Sequence, residues 1–222
     1  MGEIIAVGTS KSAEFERLLS IGTSSGMLQV VAESRRILAT LALDRREYDE
    51  AERLLDLAAN ALEDAGDRVG QLPIVLMVKA RLAVARGSKA QALPPLREAL
   101  RLARSAESGE RMSNGVATAV HVLWEHGRAR DAAVLLGVAE ASTQVFPQWA
   151  PRYRRWFADV AAAVTAAGLD EHRIAGRSLS LERATDLALR VVDEELVAAS
   201  TAEGREGGGA ADSADRPRRQ RP

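Results

Sequence analysis

Apolar residues recur at intervals of three and four along almost the whole chain. Leu38, Leu41 and Ala42, then Ala51, Leu54, Leu55, Ala58 and Leu62, then Leu93, Leu96, Leu100 and Ala103 each trace one face of a 3.6-residue period. No comparable stretch alternates apolar and polar residues with the period of a strand. The pattern predicts helices over 12–20, 27–44, 48–65, 71–86, 89–107, 112–126, 129–145, 150–167 and 181–198. Gly66, Gly87, Gly109, Gly127 and Gly168 fall where the periodic runs end, and glycine most easily takes the left-handed conformation that closes a helix.

Three of these helix pairs repeat one another. Arg46–Ala51 followed by Leu55 and Ala58 aligns with Gly87–Ala92 followed by Leu96 and Ala99, and with Gly127–Ala132 followed by Leu136 and Ala139. Ala51, Ala92 and Ala132 are therefore spaced by 41 and then 40 residues. A small side chain there lets two antiparallel helices approach closely, and the Leu and Ala further along fill the seam. The pattern resembles the tetratricopeptide repeat, but the family's period is about 34 residues and its large aromatic in the first helix is missing. The resemblance implies an all-α fold, a right-handed α-solenoid of tetratricopeptide-like helix pairs with long helices. An irregular Ala-rich bundle is the alternative. The expected division is a partial helical unit over 1–26, the repeat domain over 27–199 and a disordered tail over 200–222. That tail holds Gly207-Gly208-Gly209 and a Pro- and Arg-rich end, too little apolar area to fold.

Composition narrows the chemistry. The 222 residues are 46% hydrophobic and 27% charged with a formal net charge of -1, an ordinary globular balance without a field directed at nucleic acid or membranes. The absence of cysteine rules out disulfides and thiolate chemistry. No apolar run approaches the ~18 residues of a membrane span, and residues 1–7 lack a basic leader. The expected location is cytoplasmic.

A second resemblance rests on the last third of the chain. Ala133-Val134-Leu135-Leu136-Gly137-Val138-Ala139-Glu140-Ala141 and, further on, Gly176-Arg177-Ser178-Leu179-Ser180-Leu181-Glu182-Arg183-Ala184 look like the end of the helical repeat domain of large bacterial ATPase regulators. These are LuxR-type regulators and their adenylate-cyclase and winged-helix relatives. That family commonly carries a Phe and a Trp before the Gly-Arg, where this chain has Leu169 and Arg173. Neither a phosphate-loop ATPase nor a DNA-binding helix-turn-helix is read here, so the resemblance implies the scaffold or sensor segment of such a regulator. Ser180 is placed to cap the helix starting at Leu181, with Glu182 favourable at its positive end.

Other motifs yield less. Gly8-Thr9-Ser10-Lys11-Ser12 lacks the spacing of a phosphate loop. His121 and His126 are five apart, so they do not share a helical face as paired metal ligands do, and His172 is remote. Arg152, Arg154 and Arg155 mix with aromatics, but Tyr153, Trp156, Phe157, Val160 and Val164 make one apolar helical face. Arg216, Arg218, Arg219 and Arg221 form a short basic tail diluted by Asp212 and Asp215. No cofactor, metal or catalytic residue is predicted.

The remaining surface is the concave side of a superhelix, lined by the first helix of each pair. The alignment places Arg36 and Thr40, Met77 and Arg81, and His121 and Trp124 there. Such a groove suits a protein or peptide partner, with a small-molecule inducer as the other candidate. The expected function is a non-catalytic interaction or ligand-sensing module of a bacterial transcriptional or signalling regulator. The alternative is a stand-alone adaptor.

Overall fold

The computed structural model describes residues 2–145 and 150–209, and every regular element among them is a helix. They are α1 (Gly2–Ser24), α2 (Leu28–Asp44), α3 (Tyr48–Asp64), α4 (Leu72–Ala85), α5 (Lys89–Ser105), α6 (Gly109–Glu125), α7 (Ala129–Val145), α8 (Ala150–Ala166), α9 (Asp170–Gly176) and α10 (Leu181–Gly209). The periodicity placed α2 to α5, α7, α8 and the start of α10 within two residues. It underestimated α1, missed α9 and ended α10 too early. The helix continues ten residues past the expected boundary at 199, and residues 210–222, the rest of the expected tail, lie outside the described residues.

The helix ends carry the repeat. Left-handed residues stand at Gly26, Arg46, Gly66, Gly87, Glu107 and Gly127, following one another at intervals of 20, 20, 21, 20 and 20 residues. At the ends of α2, α4, α6 and α8 the same bond closes the helix. The amides of Glu47, Ser88, Arg128 and Leu169 donate to the carbonyls of Ala42, Ala83, Leu123 and Val164 at 2.9, 2.9, 2.9 and 3.0 Å. This is the reach-back bond of a Schellman terminus. Gly168 therefore closes a fourth first helix, α8, in register with the other three. Gly109 is a correction. Glu107 takes the left-handed turn (φ 49°), Ser108 accepts from the Arg111 amide as N-cap, and Gly109 opens α6 rather than ending α5.

The helices pack as adjacent pairs, α2 with α3, α4 with α5 and α6 with α7. Ala51, Ala92 and Ala132 are all fully buried at the seams. First helices also touch each other along the series, α2 with α4, α4 with α6 and α6 with α8, whereas α3 and α5 make no comparable contact among the described residues. The fourth pair is not completed, because α9 packs on α7 instead of α8. The chain then turns back, and α10 lies on α5, α6 and α7. As a result most of α6 is covered, with Met112, Val116, Ala119, Val120 and Leu123 at most 2% exposed.

The apolar interior falls into two main clusters. One joins α1, α2, α3 and most of α4 through Val31, Leu38, Leu55, Leu62, Val75 and Leu82. The other joins α5 to α8 and α10 through Leu96, Leu123, Leu136, Phe157, Val164, Ala188 and Val191. Phe157, Val160 and Val164 are buried, as the apolar face predicted for α8 requires. Tyr153 and Trp156 of that face, and the neighbouring Arg152, Arg154 and Arg155, fall among side chains outside those described. Gly8 to Ser12 lie within α1 rather than in a loop.

Candidate functional site

Register defines the surface of the first helices. Taking Arg46, Gly87 and Gly127 as equivalent, Thr40, Arg81 and His121 occupy one row across α2, α4 and α6. The hydroxyl of Thr40 donates to the Arg36 carbonyl at 3.0 Å, and the Arg36 guanidinium is held by Glu33, with Nε 3.0 Å from its carboxylate. Arg81 and His121 are half-buried, and the His121 ring stacks on Phe157 of α8 with centroids 5.6 Å apart and planes at 24°.

One of the six expected residues does not belong to an exposed surface. Met77 is 3% exposed, packed with Ala99, Ala103 and Met112 where α4, α5 and α6 meet. Its equivalent in α6 is Ala117, which is also buried, so this position faces inward in both units. Trp124 is half-buried at the edge of the larger core cluster, in line with Val84 and Leu43 rather than with Met77. The cavity of about 280 Å³ at the N-terminal end is lined by Gly22, Leu28, Val31, Arg35, Leu57 and Asn60, none of them expected.

The two sequence motifs of the last third prove to be one contact. A Cβ built on Gly137 of α7 would lie 1.9 Å from the Arg173 carbonyl oxygen, and one on Gly176 would lie 2.0 Å from that of Val134. The two glycines thus permit α7 and α9 to cross backbone to backbone. Glu140, one turn along α7, accepts from Arg173 Nε at 3.0 Å and Nη2 at 2.6 Å, and from Arg177 Nη2 at 3.2 Å. The Glu140 hydrogen bond, offset in part by burial, holds the Arg173 guanidinium above its ordinary pKa. Arg173 is therefore part of this lock. Ser180 caps α10 as expected, accepting from the Arg183 amide at 3.3 Å. Its hydroxyl, followed by backbone hydrogen bonding, lowers the pKa of Glu182.

Sequence reading missed the seam of α10. Arg97 Nε pairs with Asp193 at 2.5 Å and Arg104 Nε with Asp186 at 3.0 Å. Arg128 Nη2 meets Glu194 at 2.5 Å and Nη1 meets Glu195 at 3.3 Å, while Nε pairs with Asp131 at 3.0 Å. The bond to Glu194, set against desolvation, holds the Arg128 guanidinium above its ordinary pKa. His126 bridges the same corner, its Nε2 3.0 Å from the Lys89 carbonyl and its Nδ1 3.6 Å from Glu195. A signal existed. Arg97 and Arg104 are seven apart on α5, as are Asp186 and Asp193 on α10, which is the spacing of complementary rows on two antiparallel helices.

No family model, curated protein or solved structure matches the chain. Among the described residues no helix is long and apolar enough to cross a membrane, and no group of three His, Asp or Glu side chains could hold a metal ion.

Proposed function

We propose that the chain is a non-catalytic helical-repeat module of a bacterial transcriptional or signalling regulator, a right-handed α-solenoid that binds a protein or peptide partner on its concave face. The observation that carries this reading is the asymmetry of the stack. First helices α2, α4, α6 and α8 touch in series while second helices α3 and α5 stand apart. A stack closer-packed along one row of helices curves toward that row, which puts Thr40, Arg81 and His121 on the inner side. The crossing of Gly137 with Gly176, bound by Glu140 and Arg177, favours the regulator family, since it gives its two separated motifs a common purpose. A cytoplasmic location goes with this reading, and direct nucleic-acid contact does not.

Selection of peptide binders against the whole chain tests it. The expected result is a peptide whose amide perturbations run along α2, α4 and α6, with Arg81→Glu weakening binding roughly tenfold. Binders that map elsewhere, or that ignore Arg81→Glu, would overturn the concave-face assignment. A small-molecule inducer in place of the peptide would perturb the same row. The stand-alone adaptor predicts the same binding and differs only in needing no regulatory output.

A further inference from the structure

α4 is flanked by the second helices α3 and α5, and α6 by α5 and α7, and α10 shows what the furrow between two such helices accepts. Over α6, between α5 and α7, α10 covers a floor of Met112, Val116, Ala119 and Leu123, none more than 2% exposed. Beside that floor the α5 wall presents Arg97 and Arg104, which pair with Asp193 and Asp186 of α10. The docked helix is therefore small and apolar below, and acidic at two positions seven apart along the α5 side.

The same furrow exists one repeat earlier, over α4 and between α3 and α5. With Gly87 equivalent to Gly127, its floor positions are Leu72, Leu76, Lys79 and Ala83. Leu76, Lys79 and Ala83 stay half-exposed where their counterparts are fully covered. With Ala51 equivalent to Ala92, the residues standing where Arg97 and Arg104 stand are Asp56 and Glu63. The geometry repeats and the charge is reversed.

We propose that the α3–α5 furrow docks an amphipathic helix of a partner protein whose rim carries basic residues seven apart. Leu76 and Ala83 supply the apolar floor, and Glu63, exposed and in no ion pair among the described residues, supplies an open acceptor. Lys79 reaches across to Asp56 at 2.7 Å, so its stem lies along the furrow while its ammonium stays at the rim. Together with Asp49 and Glu52, which hold Arg86 at 2.6 and 2.7 Å, the wall repels acidic helices, nucleic-acid phosphates and anionic lipid headgroups. This surface is distinct from the row of Thr40, Arg81 and His121, so either assignment can fail without the other.

The test is a titration of the full chain with two synthetic peptides. One has the sequence of residues 181–201, and the other has the same sequence with Asp186→Lys and Asp193→Lys. The basic peptide is expected to bind about tenfold more tightly, weakening in high salt, with amide perturbations at Leu76 and Ala83. Glu63→Lys, an exposed change that leaves the fold intact, is expected to weaken it roughly fivefold. Equal binding of the two peptides, perturbations confined to other helices, or indifference to Glu63→Lys would each overturn the proposal.

Discussion

Gly137 and Gly176 are required for a different reason from the glycines that end helices. At Gly127 the space beyond the missing Cβ is open, and only the left-handed backbone, φ 77°, disfavours a side chain. At Gly176 the added Cβ would sit 2.0 Å from a carbonyl oxygen of a packed helix, where no flexible side chain can yield. Gly127→Ala should therefore cost about 1 kcal/mol, and Gly176→Ala about 2–3 kcal/mol as α9 is forced off α7. Urea melts of the two variants rank them. Equal losses would mean that the α7–α9 crossing is looser than the structure has it. Serine, by contrast, works at Ser180 through its hydroxyl, and its role as a cap was readable from the sequence because capping depends only on neighbours within three residues.

At the scale of elements, legibility follows the same division between local and distant causes. Helices α2 to α5 and α7 could be placed because the apolar period that defines each one lies within its own segment. Arg46 and Glu107 could not be recognised as left-handed, since neither residue type announces that conformation. The turn of α9 onto α7 depends on a glycine 39 residues away, and the docking of α10 on charge pairs 96 and 82 residues apart. Why α10 settles on α6 rather than α4 follows from charge. Arg97 and Arg104 of α5 meet its Asp193 and Asp186, whereas Asp56 and Glu63 of α3 stand in those places beside α4. Arg97→Glu together with Arg104→Glu should then unseat α10 and cost about 1–2 kcal/mol, the modest sum expected of exposed ion pairs turned into repulsions. Hydrogen exchange would read this as fast exchange along α10 while α2 and α3 keep their protection. If α10 amides stay protected, the reason given for its placement is wrong.

Over the whole molecule, stability should pass from neighbour to neighbour rather than appear everywhere at once. Repeat stacks bury apolar surface mainly between adjacent units, so their folding is nearly one-dimensional. Here the two core clusters meet at α4, which gives Val75 and Leu82 to one and Ala80 to the other. Among the described residues only the second cluster is closed over by a returning helix. Leu55 and Leu136 are equivalent leucines, both fully buried, one in each cluster. Either substitution to Ala removes a similar volume and costs about 2–5 kcal/mol. Their reach should differ. Leu55→Ala is expected to speed exchange in α1, α2 and α3 while α6 and α7 hold. Leu136→Ala is expected to loosen α5, α6, α7 and α10 together, because α10 packs on all three and pairs with Arg97, Arg104 and Arg128. Native-state exchange at a few denaturant concentrations separates these outcomes. Uniform acceleration across all helices in both variants would show a single cooperative core and defeat the two-cluster account.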